Sequence, residues 1–265
     1  MGNELVNYNE QLAQMAQRLT TQEQIVAGTF LSTKGGTLAF GDEQMPGNQA
    51  CVIVLDAVME NTYYAGAYDP ENAEAPTCYA FGRDAAEDMG PHPSMQSDLS
   101  YFIPQSDTCK GCQWNVYGTA DKGKGKACQN RRRLALIPAG FYSPKRGSRD
   151  FDLDLITDLK HYAAADIAFL KLPVTSVKNW SKYAQQVSAT HNTHPLAVVT
   201  RLFLEPDPKF QYQVHFEMLD TVPEELIPIL LQRYGEADKL LIQGYKAPDR
   251  DAAKQTAAGV RTIRR

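Results

Sequence analysis

The chain has 265 residues, is 43% hydrophobic, and sets 27 Lys and Arg against 31 Asp and Glu for a formal net charge of −4. That is a globular composition, with length for one large domain or two small ones. No apolar run approaches the roughly 20 residues of a membrane span. The N-terminus lacks the basic and apolar regions of a secretion signal, and Val6 stands where myristoylation needs Ser or Thr, so a soluble intracellular protein is expected.

In chain order, the helical spacing of Leu5, Leu12, Met15, Leu19 and Ile25 predicts an amphipathic helix over 4–26 that breaks at Gly28. Residues 29–40 read as a hairpin turning at Lys34-Gly35-Gly36. The run ACVIVLDAVM, 50–59, reads as a central buried strand followed by Tyr63, Tyr64 and Tyr68. Residues 69–130 are rich in Gly, Pro and Asp, with a short strand at TCYAF, and RRRLALIPAG (131–140) returns to the core as a strand. Residues 152–166 read as helix, IAFLKLP (167–173) as strand, and 174–190 as helix with Val177, Trp180, Tyr183, Ala184 and Val187 on one face. The clearest hairpin pairs 197–205 with 210–219 across PDPK. A last helix runs from Pro223 to about Leu241, capped by Asp220 or Thr221. The tail 246–265 has almost no apolar anchors and is expected to be disordered.

Strands that do not alternate regularly with helices predict a β-rich α+β fold. An OB-fold-like antiparallel barrel accommodates them over 28–245, interrupted at about 69–130 by a loop-rich insertion and preceded by the helical segment 1–27.

The charge is unevenly placed. Between Cys109 and Arg149 ten basic residues meet a single acid, Asp121, so that segment carries +9 and the rest of the chain −13. A basic patch on an acidic body is the footprint of a polyanion-binding surface; the bland alternative is a solvated face.

Of five cysteines, Cys51 sits in the apolar run and reads as a buried small hydrophobe. The others form Cys78-x30-Cys109-x2-Cys112-x15-Cys128. Two thiolates one tight turn apart bind a single ion, two more complete a tetrahedron, and a loop-rich stretch needs such a staple, so structural zinc is the expected cofactor. Disulfides suit a reducing compartment poorly, and a redox CxxC would want a βαβ setting. His92 is the substitute ligand should Cys78 or Cys128 not bind.

Eleven of the 25 aromatics lie between residues 59 and 149, more than so polar a region can absorb into a core. Single-strand binding without sequence preference combines a cationic groove with aromatic faces for bases. Tyr63, Tyr64, Trp114 and Tyr117 are the stacking candidates, and Lys110, Lys122, Lys124, Lys126, Arg131, Arg132 and Arg133 the phosphate contacts. GTADKGKGKAC is not a Walker A motif, because Ala127 follows Lys126. No hydrolase, kinase or dinucleotide signature occurs, and four thiolates leave zinc no open position, so the chain reads as a non-enzyme. Asp152 and Asp154 in DFDLDLITD suggest either a carboxylate metal cluster or the acidic start of a helix.

The series C-x2-C, W-N-x-Y-G, G-K-G-K-A-C and N-R-R-R-L, formed by Cys109, Cys112, Trp114, Asn115, Tyr117, Gly118, Lys122, Lys124, Lys126, Cys128 and Arg131 to Arg133, resembles zinc-containing single-stranded DNA-binding proteins of tailed bacteriophages. The likeness spans roughly 28–220 in layout and 109–134 in motif. It implies an OB-type fold with a zinc subdomain that coats single-stranded DNA during phage replication or recombination in the cytoplasm of a bacterial host. Such proteins often end in an acidic tail that recruits partners; this chain ends in VRTIRR. A second reading is therefore a transcription or replication accessory factor that engages a protein partner through Arg261, Arg264 and Arg265.

Overall fold

The structure, a computed structural model, describes residues 30–66, 75–83, 89–121 and 123–247. The strands are β1 (Phe30–Ser32), β2 (Ala39–Phe40), β3 (Glu43–Gln44), β4 (Gln49–Tyr63), β5 (Cys78–Gly82), β6 (Gln129–Pro144), β7 (Phe151–Leu155), β8 (Ala168–Leu172), β9 (Val198–Asp207) and β10 (Gln211–Thr221). The helices are α1 (Leu159–Ala164), α2 (Val177–His191) and α3 (Ile227–Leu241). The fold is α+β and strand-rich, an open mixed sheet with a few helices. No helix among the described residues is long and apolar enough to cross a membrane. The predicted N-terminal helix lies outside the described residues.

Two compact units divide the chain, Met1–Ala57 with Arg132–Leu241 and Val58–Arg131 with Ile242–Arg265. The chain leaves the first unit within β4 and re-enters it within β6. The second unit thus comprises Val58–Arg131 with Ile242–Arg265, whereas the sequence predicts an insertion at about 69–130.

In the first unit the strand order is β10-β9-β4-β6-β8-β1-β2-β3, with β7 beside β6. Lys34-Gly35-Gly36 makes the expected turn with both glycines at positive φ, 64° and 75°, a region that glycine enters without steric cost, and Leu31 pairs with Phe40 across it. One pairing departs from an antiparallel barrel. β1 runs parallel to β8, Leu31 opposite Leu170, and the long connection between these strands removes the constraint that makes sequence neighbours antiparallel.

Alternation sorts the side chains into a core. Val52 and Val54 of β4, Leu134 and Leu136 of β6, Leu170 and Leu172 of β8, Leu202 of β9 and Val214 of β10 are buried together. α2 closes this core with the predicted face: Trp180, Tyr183 and Val187 are buried in it, and Val177 and Ala184 pack on it. The Tyr183 hydroxyl, which cannot be buried cheaply without a partner, shares a 2.5 Å hydrogen bond with Thr200 Oγ1.

The open edge of β10 is blunted from within. Ser176, fully buried, accepts the Val214 backbone N–H at 2.9 Å, and Asn179 Nδ2 donates to the Val214 carbonyl at 3.0 Å, so two side chains stand where a neighbouring strand would pair. Nearby, Thr33 Oγ1 and the Tyr212 hydroxyl share a 3.0 Å hydrogen bond that ties the β1–β2 turn to β10.

Three predicted elements are corrected. Residues 152–166 are not one helix: the alternation in FDLDL makes β7, paired Leu153 to Tyr142, and only Leu159–Ala164 is helical, N-capped by Asp158. Asp220 and Thr221 belong to β10, so α3 begins without a side-chain cap, through a 3-10 turn at Glu224–Leu226 after Pro223. The chain keeps its place to Ala247, which packs on the second unit's core beside Tyr245; the rest of the predicted disordered tail lies outside the described residues.

Candidate metal centre and nucleic-acid interface

The second unit has little apolar material. Its core is Tyr79, Met95 and Phe102, with Phe81, Tyr101, Tyr245 and Ala247 against them. Hydrogen bonds shape the remainder. Cys109 N–H donates to the Met89 carbonyl at 2.6 Å, Asn115 N–H to Cys112 at 3.0 Å and Cys128 N–H to Trp114 at 2.9 Å. These tie the CxxC knuckle to the segment that leads into β6.

All four expected ligands, Cys78, Cys109, Cys112 and Cys128, line one cavity and carry free thiols. Its volume of about 20 Å³ holds one water-sized body. Burial, then the neighbouring Cys109, Cys112 and Cys78, pushes the Cys128 thiol up to about 12, with Lys126 offsetting part. Cys78 rises for the same two reasons, burial first, against the Gln105 backbone N–H that favours its thiolate. Four thiols lining one cavity are a donor set for a cation that replaces their protons. Among the described residues no three Cys, His, Asp or Glu side chains already stand close enough to form a metal cage. The thiols therefore share a cavity without being drawn to ligand distance. His92 is engaged elsewhere: its Nδ1 pairs with Ser94 Oγ at 2.8 Å and its ring stacks 5.5 Å from Tyr79.

The nucleic-acid candidates separate into groups. Tyr63 and Trp114 stack on each other, centroids 4.9 Å apart and 19° from parallel, and Trp114 Nε1 donates to Gln105 at 2.9 Å. They form one half-buried aromatic pair rather than two free platforms, with Tyr64 half-buried beside Tyr63 in the chain. Tyr117 is 78% exposed, and Lys110 and Lys124 are exposed. Lys126 is held: Nζ donates to Asn115 Oδ1 at 3.0 Å and Asn130 Oδ1 at 2.9 Å and lies 5.2 Å from the Tyr117 centroid. Asn130 in turn donates to Asn61 at 2.6 Å, so the lysine organises an amide network under Tyr117. Lys122, Arg261, Arg264 and Arg265 lie outside the described residues.

The arginine run is the main correction. Arg131 is half-buried and donates to Gln129. Arg132 is half-buried too, with burial lowering its guanidinium below the usual range. Arg133 is 5% exposed, donates from Nη1 to the Leu241 carbonyl at 3.1 Å and lies 5.9 Å over the Phe30 ring. A cation on the last carbonyl of α3 serves the helix end, so Arg133 is structural and out of reach of a phosphate. Strand alternation turns successive arginines to opposite faces, which the charge count ignores.

Sequence reasoning also missed groups in the first unit. Phe30, 42% exposed, lies tilted against Phe169 with centroids 5.6 Å apart, and the Lys171 ammonium is 5.1 Å from its ring. The signal available was Lys171 itself, a lone charge inside an apolar strand. At the β9–β10 tip Lys209 lies 5.1 Å from Phe210, and Asp207 accepts both of their N–H groups at 2.8 Å. Those two bonds hold the Asp207 carboxyl below its ordinary 3.8. Asp152 and Asp154 are exposed on β7, the first of them 3.7 Å from Lys145. Comparison of the chain with protein-family models, with curated proteins and with solved structures returns no match.

Proposed function

We propose that the protein binds single-stranded DNA without sequence preference, through a cationic and aromatic surface on a zinc-stapled module carried by an OB-type barrel. Tyr117 carries the reading: an aromatic ring left 78% exposed, with a fixed ammonium 5.2 Å from its centroid, is a ready stacking face for a base. Lys110 and Lys124 stand exposed on the same module to meet phosphates. Cys78, Cys109, Cys112 and Cys128 would hold the zinc, whose contribution is shape, since four thiolates leave it no open position.

The topology supports the barrel. β4, β6, β8, β9 and β10 come in that order in the chain, with β5 and β7 interposed among the first three, and lie side by side as β8-β6-β4-β9-β10, with α2 between the third and fourth. The Thr33–Tyr212 bond ties the β1–β2 turn to β10, and Ser176 and Asn179 cap Val214 on the β10 edge. In five-stranded barrels of this kind the first and fourth loops and the face of the second and third strands receive oligonucleotides. Here, within the first unit, the fourth loop carries Lys209 and Phe210, and β8 carries Lys171. Coating of single strands in phage replication or recombination is the setting that the sequence resemblance implies.

The test is zinc content measured beside a salt-dependent titration of short oligonucleotides on one preparation. Affinity is expected to fall steeply with salt and to quench Trp114 fluorescence. Tyr117→Ala should weaken binding by about 1–3 kcal/mol, the usual worth of one stacked base. Absent or salt-independent binding, or a Tyr117→Ala variant that binds as wild type, refutes the reading.

A further inference from the structure

We propose that Gly244–Ala247 is a strap clasped to the second unit's small core, and that its clasp depends on metal at the cysteine site. The inference rests on the zinc reading above.

The strap is seated by specific contacts. The Tyr245 hydroxyl donates at 2.7 Å to Oε1 of Glu60, which is fully buried on β4. Its ring meets Tyr79 edge-on at 4.9 Å, and Ala247 packs on the same core. Gly244 passes so close that a Cβ would collide with Ser94 Oγ and lie 2.8 Å from the Tyr79 hydroxyl. Ser94 and Tyr79 are themselves bonded at 2.6 Å.

Tyr79 links strap and site. It is 1% exposed, follows the ligand Cys78 on β5 and lines the cysteine cavity. β5 is a five-residue strand held along β4 from Met59–Gly82 to Tyr63–Cys78. Among the described residues this core has three buried side chains with a few half-buried ones against them, too little to hold such a strand firmly by itself. Metal at Cys78 pins one end of β5 and with it the ring on which Tyr245 rests. Without metal that end frays, the Tyr79 ring shifts, and the strap loses its seat.

Lys246 supplies the readout, because trypsin cuts after it only when the local chain opens. Full-length protein, zinc-loaded or chelator-treated, is digested briefly and the product ending at Lys246 is quantified by mass. Chelation should speed that cut about tenfold while cleavage at Lys178 and Lys182 in α2 stays slow. Gly244→Ala and Tyr245→Ala should give the fast cut with zinc content unchanged. Equal cutting with and without bound zinc, or acceleration of the α2 sites to the same degree, overturns the strap. Both variants cutting as slowly as wild type overturns it too. If a variant fails to fold, the wild-type comparison decides. Wild-type protein without stoichiometric zinc overturns the metal reading and the coupling together; zinc present with equal cutting overturns the coupling alone.

Discussion

Arg133 separates two accounts of the basic run, one in which the arginine grips DNA and one in which it holds the fold. Arg133→Met keeps the length of the stem and removes the guanidinium. The Leu241 carbonyl then loses its 3.1 Å donor in a site that is 5% exposed. A buried acceptor deprived of its partner costs about 1–3 kcal/mol, and the lost cation over Phe30 adds about 1 kcal/mol. Relief of a desolvated charge offsets part of this, which leaves a net loss of about 2 kcal/mol. For a unit of this size each kcal/mol lowers the melting temperature by about 2–4 °C, so a fall of about 4–8 °C is expected by calorimetry. Oligonucleotide affinity, measured well below the transition, should be unchanged. A variant that melts like wild type and loses affinity refutes the structural account of Arg133.

Three further outcomes follow from the geometry. Lys124→Ala should weaken oligonucleotide binding and reduce the salt slope by about 0.7, the value of one phosphate contact on a single strand, with melting unaltered; an unchanged slope removes Lys124 from the interface. Ser176→Ala leaves the buried Val214 N–H without its acceptor and should cost about 1–3 kcal/mol in denaturant titration, whereas wild-type stability would mean the β10 edge is not blunted there. In chelator-treated protein burial pushes the Cys128 thiol up to about 12 from its ordinary 9.0, so the folded form should retain a proton that the unfolded chain releases. That contribution to stability is complete below pH 9.0 and is lost as pH rises toward 12. Stability that climbs with pH across this window in the metal-free protein contradicts the assigned burial.

Much of the fold was legible because the deciding signals are local. The apolar run of β4, the five-residue face of α2, the Gly-Gly turn and the β9–β10 hairpin depend only on period and turn chemistry, and the structure keeps all four. DFDLDL misled because acids before an apolar run suit a helix start, while the same residues alternate as a strand once β6 offers a partner. The parallel pairing of β1 with β8 had no local signal at all, since it joins residues some 140 positions apart.

The site divides in the same way. Cysteine spacing alone pointed to a common centre, and the chain does bring all four thiols to one cavity, because a knuckle is a local object and its partners are few. Charge and aromaticity are properties of composition, and they indicated a polyanion surface without saying which residues form it. Only tertiary packing decided that Arg133 is spent on a helix end, that Lys126 is tied into an amide network, that Tyr63 and Trp114 occupy each other, and that Tyr117 is left in the open. The physical reason is burial: a side chain's chemistry is written in its type, but whether that chemistry faces solvent or a neighbour depends on which distant strand or helix end the fold lays beside it.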